Sequence, residues 1–187
     1  LVVSGINPYG NMGHDVTYSG TVTAAMEAVI FGIPGIAFSL NGRENEQTFH
    51  FETAAAVARS VVHTVMANGL VPDMLLNVNV PNLPREEIGP PRTTRLGSQV
   101  YEDSIVEKTD PRGKSYYWIG GQSSRRANDA GTDFRAVADG HVSVTPIQLD
   151  MTDFETLAHM ADWPFDEIHA AAGVGGTKGD SQRGERE

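Results

Sequence analysis

Apolar positions in the first part of the chain recur with the spacing of strands and helices in turn. Residues 1–4 are an apolar run with β-branched side chains, which predicts a buried strand, and residues 7–18 form a loop rich in Gly, Asn and Asp. An apolar face at helical spacing follows, made of Val22, Ala25, Met26, Val29 and Ile30. Gly32 is placed to end that helix, and residues 33–40 predict a second strand.

The same alternation continues through one more helix and one more strand. The longer helix is predicted by a second apolar face, made of Phe51, Ala54, Ala55, Ala58, Val61, Val62 and Val65. The strand covers residues 74–80, where Asn77 and Asn79 alternate with apolar side chains, and Pro81 stops it. We expect both Asn side chains to hydrogen-bond to loops above the sheet. Strands that alternate with helices predict an α/β domain with a parallel sheet.

The pattern changes after Pro81. Residues 81–91 hold four prolines and read as a connection, and strand signals dominate afterwards. Residues 98–121 predict a long β-hairpin arm, because the turn sequence Asp-Pro-Arg-Gly at 110–113 separates two strand-like runs. Its aromatic side favours contact with another subunit. We further predict a strand at 141–147, a short helix at 153–163 with a Thr or Asp cap, and a disordered tail at 173–187.

Composition and charge narrow the function classes. The chain has 187 residues, no cysteine and a net charge of −10, and it fits one domain. The missing cysteines exclude disulfides and Cys-ligated metals and fit a reducing, cytoplasmic location. The negative charge disfavours nucleic-acid polymers and anionic membranes as partners, and no apolar run is long enough for a membrane span. A phosphorylated substrate would need a divalent cation or a helix N-terminus to offset that charge.

The candidate chemistry lies between the first strand and the first helix. The hydroxyls and free backbone N–H groups of Ser19, Gly20 and Thr21 are predicted to converge at a helix start, which is an anion site in form. Asn7 follows the first strand, so its amide oxygen is a candidate ligand for a hard cation, and Asn11 lies in the same loop. The plain alternative is that Ser19 only caps a helix and that both Asn residues only make turns.

Other candidates carry less specific signals. His14 and Asp15 are either an acid–base pair or a solvated surface pair. The Gly-Thr-Asp segment at 131–133 is either a loop that supports the site's residues or forms a wall of the substrate site, or a plain turn. The chain has no G-x-S-x-G elbow and no P-loop, and its six His residues show no metal-binding spacing.

Several segments together resemble the SurE family of survival proteins. The matching stretches are Ser4-Gly5-Ile6-Asn7, Asn11-Met12-Gly13, Tyr18-Ser19-Gly20-Thr21-Val22, Ala24-Ala25-Met26-Glu27, Gly32-Ile33-Pro34, Asn77-Val78-Asn79-Val80-Pro81, Asp110-Pro111-Arg112-Gly113, Gly131-Thr132-Asp133 and Val142-Ser143-Val144-Thr145-Pro146. The first and third are the most specific, and the resemblance extends from residue 1 to about residue 160.

The resemblance implies a fold, an activity and a set of site residues. The implied fold is α/β, a Rossmann-like three-layer αβα sheet with a C-terminal β-hairpin arm. The implied activity is divalent-metal-dependent (Mn or Mg) hydrolysis of nucleoside 5′- or 3′-monophosphates, with short polyphosphate as a further substrate in some members. It also implies a homodimer or homotetramer built through C-terminal arms. By the same resemblance Asn7 is a metal ligand, and Asn11, Ser19, Gly20 and Thr21 line the phosphate pocket.

The chain also departs from that family. It begins within an apolar strand and without Met, so we interpret it as lacking an N-terminal portion. The family's Asp-Asp pair and Ser ligand precede the Ser-Gly-Ile-Asn segment, and neither is found here. We therefore assign no catalytic residue and expect residues 1–187 alone to be nearly inactive. We expect a domain at 1–172 that includes the 98–121 arm. Two alternatives are a non-catalytic nucleotide-binding or assembly homologue and a metal-free hydrolase that uses Ser19 with His14.

Overall fold

One mixed sheet with helices on both faces carries the site. The computed structural model describes residues 1–43, 45–125, 129–165, 167 and 168, and for 99–104 and 119–125 it describes the backbone alone. The elements of this part of the chain are β1 (Val2–Asn7), α1 (Gly20–Ile30), β2 (Gly35–Asn41), α2 (Phe51–Asn68), β3 (Met74–Pro81), β4 (Gly89–Thr93), β5 (Gln99–Thr109), β6 (Ser115–Arg125), α3 (Asp133–Ala138), β7 (His141–Gln148) and α4 (Phe154–His159).

Five of the strands pair in the order β1-β2-β3-β7-β4. β1, β2 and β3 are parallel, so their carboxyl ends lie at one edge of the sheet. β7 runs antiparallel to β3, and β4 runs parallel to β7. The predicted α/β fold is confirmed, and the three strands that predicted a parallel sheet are parallel. β7 enters the sheet antiparallel to β3, a direction that the sequence did not predict.

The two long helices cover opposite faces of this sheet. From α1, Val22, Ala25 and Val29 pack on one face against the apolar side chains of Ala37, Leu75 and Ile147. From α2, Ala54 and Val65 pack on the other face against a second set, which comprises Ile36, Phe38, Leu40, Val78, Val80 and Val142. Successive strand residues alternate between these two cores, as the pleat of a strand requires. The result is the predicted three-layer αβα arrangement.

The first helix begins and ends where the sequence predicts. Ser19 caps it, since its Oγ accepts a hydrogen bond from the Val22 N–H at 3.1 Å. At the other end Gly32 has a φ of 71°, and the Ile33 N–H donates to the Ala28 carbonyl at 2.9 Å. This left-handed glycine with its backward hydrogen bond is a Schellman motif. One detail of the predicted apolar face is wrong, because Ile30 is exposed.

Two stretches expected to be irregular contain regular structure. The predicted loop 7–18 holds a 3₁₀ helix at Gly13–Tyr18. The predicted connection 81–91 contains a second 3₁₀ turn at Arg85–Glu87 and the start of β4, an edge strand. In β4, Gly89, Arg92 and Thr93 pair with β7, whereas Pro90 and Pro91 lie where the register shifts. An edge strand tolerates proline because one side of its backbone needs no partner.

The predicted β-hairpin arm is confirmed as a two-stranded antiparallel sheet of β5 and β6. The side chain of Asp110 closes its turn by accepting from the N–H groups of Arg112 and Lys114. Near the turn, exposed apolar and aromatic side chains cover the arm, comprising Ile105, Val106, Tyr116, Tyr117 and Trp118.

The backbone divides into two units, Leu1–Asp150 and Met151–Glu187. In the second unit Asp153 caps α4 by accepting from the Thr156 N–H at 3.0 Å, which confirms the predicted short helix. The predicted tail at 173–187 lies outside the described residues. Within the described helices, none combines the length and the apolar character that crossing a membrane requires.

Candidate functional site

The candidate site lies at the carboxyl ends of the parallel strands, where loops lead into the helices. Asn7 ends β1 and stands beside Ser39 of β2 in the parallel register. The chain then crosses the sheet edge through residues 8–19 and enters α1. In open α/β sheets ligands bind at this edge, because strand ends and helix N-termini meet there.

Asn11 is the best-anchored residue of that crossing loop. Its backbone N–H donates to Asn79 Oδ1 at 2.9 Å, and its carbonyl accepts from Asn77 Nδ2 at 2.8 Å and from Asn79 Nδ2 at 2.9 Å. Its own side-chain Nδ2 donates to Ser39 Oγ at 2.7 Å. The expectation that Asn77 and Asn79 bond a loop above the sheet is therefore confirmed. The two strand side chains hold the backbone of Asn11 in place. The side-chain oxygen of Asn11, Oδ1, takes no part in these hydrogen bonds.

The start of α1 supplies unpaired donors beside this loop. The first N–H groups of a helix have no acceptor inside it, and in α1 these include the N–H groups of Gly20 and Thr21. Ser19 is buried, and its Oγ already accepts from Val22, so its hydroxyl proton remains available to a ligand oxygen. A Cβ built on Gly20 would meet nothing within 4 Å, so there is open space at this turn. Together with the positive end of the helix dipole, these groups form an arrangement that can hold an anion.

Asp133 links the crossing loop to α3 and to the segment that follows β4. This fully buried carboxylate accepts from three backbone N–H groups, those of Gly13 at 2.7 Å, Gly97 at 2.8 Å and Phe134 at 2.8 Å. Burial raises the pKa of the Asp133 carboxyl, and the three backbone hydrogen bonds act against that rise. The Gly-Thr-Asp segment, in which Thr132 caps α3, is only a weak indication of this role.

A layer of buried polar side chains lies under the site. Thr94 Oγ1 is within 2.8 Å of Ser143 Oγ and 2.7 Å of Thr145 Oγ1. Ser143 and Thr145 pair across the sheet with Asn79 and Asn77, which hold Asn11. In the described part of the chain, the buried Asn77 Oδ1 has no hydrogen-bond partner. The sequence did not predict this hydroxyl layer, because strand residues such as Thr and Ser carry no positional signal of their own.

Asn7 offers one oxygen of the type that divalent cations bind, but the described residues do not complete a cation site. Its Nδ2 donates to the Tyr9 carbonyl at 2.5 Å, which leaves Oδ1 as its free polar atom. Hard divalent cations in proteins draw on several oxygen ligands that include carboxylates. Among the described residues, no group of three or more His, Cys, Asp or Glu is placed to hold a metal ion.

The two weaker candidates from the sequence lie in the 3₁₀ helix. His14 is exposed there and Asp15 is half-buried. The Thr17 hydroxyl donates to the His14 carbonyl, so the backbone of this turn is held locally.

Comparisons with known proteins place this chain among related sequences. A family model described as "Survival protein SurE" matches residues 1–103, a range that contains Asn7, Asn11 and Ser19–Thr21. The chain is 48% identical over 165 residues to the "5′-nucleotidase SurE" of Pelobacter propionicus, which is 88% of this chain and 66% of that protein. It is 49% identical over 170 residues to the protein of the same name from Geobacter metallireducens, 90% of this chain and 66% of that one.

A solved structure extends the similarity to the fold. The SurE protein from Aquifex aeolicus superposes with a TM-score of 0.74 at 45% identity, covering 85% of this chain and 63% of that one. The chain spans just under two thirds of the length of each of these three proteins.

Proposed function

This chain belongs to the Survival protein SurE family, whose model covers more than half of it, and from that premise we propose that the protein is a nucleotidase. It hydrolyses nucleoside 5′-monophosphates, and also 3′-monophosphates and short polyphosphate, with the help of Mn²⁺ or Mg²⁺. The observation that carries the proposal is the identity of 48–49% to two proteins named 5′-nucleotidase SurE over about nine tenths of the chain.

The proposed roles follow from the strand-to-helix junction. The N–H groups of Gly20 and Thr21 and the Ser19 hydroxyl bind the phosphoryl oxygens and stabilise the charge that builds up as the ester bond breaks. Asn11, whose backbone Asn77 and Asn79 hold, lines the same pocket. Asn7 would offer one neutral oxygen to a divalent cation, and such a cation would supply charge neutralisation at the phosphate and an activated water. Because the loop is anchored, these donors are already in position and need not reorganise as the charge develops.

Partners and location are part of the same proposal. The exposed aromatic residues of the β5–β6 arm form contacts between copies of the chain in a homodimer or homotetramer. The substrate is a nucleoside monophosphate, whereas the net charge of −10 disfavours nucleic-acid polymers and anionic membranes. The absence of cysteine fits a cytoplasmic location.

The test compares residues 1–187 with a fusion that supplies carboxylates. Residues 1–187 are expected to release little phosphate from AMP with Mn²⁺, because the described residues offer no carboxylate cluster. Placing the Asp-Asp segment of a family member before residue 1 should restore hydrolysis that a chelator abolishes. In that fusion, Asn7→Leu should lower the rate, and Asn68→Leu at the end of α2 is the matched control.

The alternatives predict different results for the same fusion. A fusion that binds AMP but releases no phosphate with any divalent ion would favour the non-catalytic homologue. Hydrolysis that resists the chelator and stops with a serine-directed reagent would favour the metal-free enzyme that uses Ser19 with His14.

A further inference from the structure

A cleft next to the proposed phosphate pocket is formed where the ends of β2 and β3 face α3. Its volume is about 320 Å³, which suits part of a small ligand. One wall is Met12, directly after Asn11 in the crossing loop, and the opposite wall is the α3 segment from Phe134 to Ala138. The loop after β2 closes the third side with Arg43 and Glu46.

This cleft and the phosphate pocket share one face and one edge of the sheet. Asn41 lines the cleft and lies two residues beyond Ser39 on β2, so the two side chains point to the same side. Ser39 is the register partner of Asn7. Strand spacing and rise then put the Asn7 and Asn41 backbones roughly 8 Å apart. That distance is one a nucleoside joined to a phosphate can span.

The charges of the cleft suit a neutral ligand better than a second phosphate. Arg43 and Glu46 are the charged side chains among its described lining residues, and their charges cancel. Glu46 Oε2 is already used, since it accepts from the Arg43 N–H at 3.0 Å and from Asn82 Nδ2 at 2.6 Å. A carboxylate held in this way repels additional phosphate groups but accepts hydrogen bonds from hydroxyls.

The cleft also holds polar groups that match a nucleobase. Within the described chain, the Asn41 amide and the Arg43 guanidinium make no side-chain hydrogen bond, although both line the cleft. An amide pairs with the donor and acceptor on a base edge, and a guanidinium stacks on an aromatic plane. Asn82 makes this arrangement rigid, because it accepts from the His50 N–H at 2.9 Å and donates to the Thr48 carbonyl at 2.8 Å.

We propose that this cleft binds the nucleoside half of the substrate, with the base edge on Asn41, the base plane against Arg43 and the ribose hydroxyls toward Glu46. The proposal rests on the proposed function for its substrate class, but nucleoside binding needs neither a phosphate nor a metal. It is therefore measurable on residues 1–187 whether or not they are active.

The test is a titration of the full chain with adenosine and, separately, uridine, followed by saturation-transfer NMR and calorimetry. Filling the cleft with Ala138→Phe should weaken binding by more than about tenfold, and Asn41→Leu by roughly three- to tenfold. Ala138 is exposed, so the larger side chain does not disturb the core. The matched control is Ala24→Phe, which changes an exposed alanine of α1 away from the cleft.

Several outcomes would overturn the inference. One is that no nucleoside binds at millimolar concentration, and another is that Ala138→Phe binds as well as the parent chain. A third is that binding is lost only in a Tyr18→Ser variant, because the base would then lie on the exposed Tyr18 beside Ser19. Failure here with metal-dependent AMP hydrolysis intact in the fusion would leave the proposed nucleotidase standing. Nucleoside binding without any phosphate release from the fusion would support the cleft as a nucleoside site and contradict the proposed nucleotidase.

Discussion

Asp133 is the residue on which the crossing loop depends most. Its carboxylate bonds Gly13 from the loop, Gly97 from the segment after β4, and Phe134 from α3. Both glycines are needed at this contact, because a Cβ at Gly13 or at Gly97 would approach the Phe134 ring to within 2.6 or 2.5 Å. The carboxylate thus joins three separate segments where no side chain larger than hydrogen would fit.

Replacing this carboxylate by an amide should be costly. In Asp133→Asn the new NH₂ group has to face at least one of the backbone N–H groups, which leaves a buried donor without an acceptor. The expected loss of stability is about 2 kcal/mol in denaturant unfolding. The matched control is Asp139→Asn, whose carboxylate bonds the exposed side chains of Arg135 and Arg92, and it should lose less. Equal losses in both variants would contradict the proposed role.

The same residue predicts a pH dependence with a definite sign. The pKa of Asp133 is raised in the folded protein by burial, so the folded state binds this proton more tightly than the unfolded state. Its contribution to stability is therefore fully present below the ordinary carboxyl pKa of 3.8 and is lost as the pH rises through the raised pKa. The stability difference between the parent chain and Asp133→Asn should shrink as pH increases over that window. If the difference in the free energy of unfolding between the two proteins instead grows with pH, the pKa of Asp133 is not raised in the folded protein.

Single residues were predictable where their type breaks a local pattern. Asn77 and Asn79 stood out because polar side chains alternate with apolar ones in an otherwise buried strand, and they do bond the loop above. Ser19 stood out as a cap and is one. Asp133 was not identified as an anchor, because its partners lie 120 and 36 residues away and a lone Asp near a turn has a common local explanation.

At the level of elements, the close approach of α1 to β2 is the contact that sets the helix start over the sheet edge. A Cβ on Gly35 would lie 2.3 Å from the Ala25 carbonyl oxygen, so the helix backbone rests directly on the strand. The small side chains of Ala25 and Ala37 continue this contact, and both are fully buried.

Gly35→Ala should therefore displace α1 from β2. Backbone atoms have to move to make room, and we expect a destabilisation of about 2 kcal/mol, in the range of core overpacking. Gly20→Ala is the matched control, because its Cβ would meet nothing within 4 Å. Thermal unfolding of the two variants measures the difference, and similar melting temperatures would refute the close contact.

Helices and strands were predictable from the sequence wherever the spacing of apolar residues agreed with the residues that end an element, such as glycine and proline. Both long helices and β1, β2 and β3 were identified from their apolar spacing and their glycine or proline ends. β4 was missed because Pro90 and Pro91 argue against a strand unless its edge position is known. The direction of β7 depends on the path taken by residues 81–140, which no local pattern encodes.

At the scale of the whole molecule, the β5–β6 arm exposes large apolar and aromatic side chains of the kind that bind another subunit. Tyr117 is 61% exposed and Trp118 is 59% exposed, although large aromatic side chains are usually covered. Among the described strands, β5 and β6 pair only with each other. A two-stranded hairpin is marginal in water by itself, so a second copy that covers these rings would stabilise it.

Removing the aromatic side chains should shift the oligomeric state. In the Tyr117→Ser/Trp118→Ser double variant, sedimentation velocity should show a monomer at concentrations where the parent chain forms a dimer or tetramer. The matched control is Met66→Ser, which removes an exposed apolar side chain from α2 and should leave assembly unchanged. A parent chain that sediments as a monomer would contradict the predicted contact.

The most direct measurement is an amide NMR titration of the ¹⁵N-labelled chain with inorganic phosphate and Mg²⁺. The strand-to-helix junction predicts that the largest shifts fall on Gly20 and Thr21, with smaller ones at Asn7 and Asn11. A Ser19→Ala variant should weaken the response. Shifts confined to other regions, with the amides of Gly20 and Thr21 unchanged at saturation, would contradict a phosphate pocket at the start of α1.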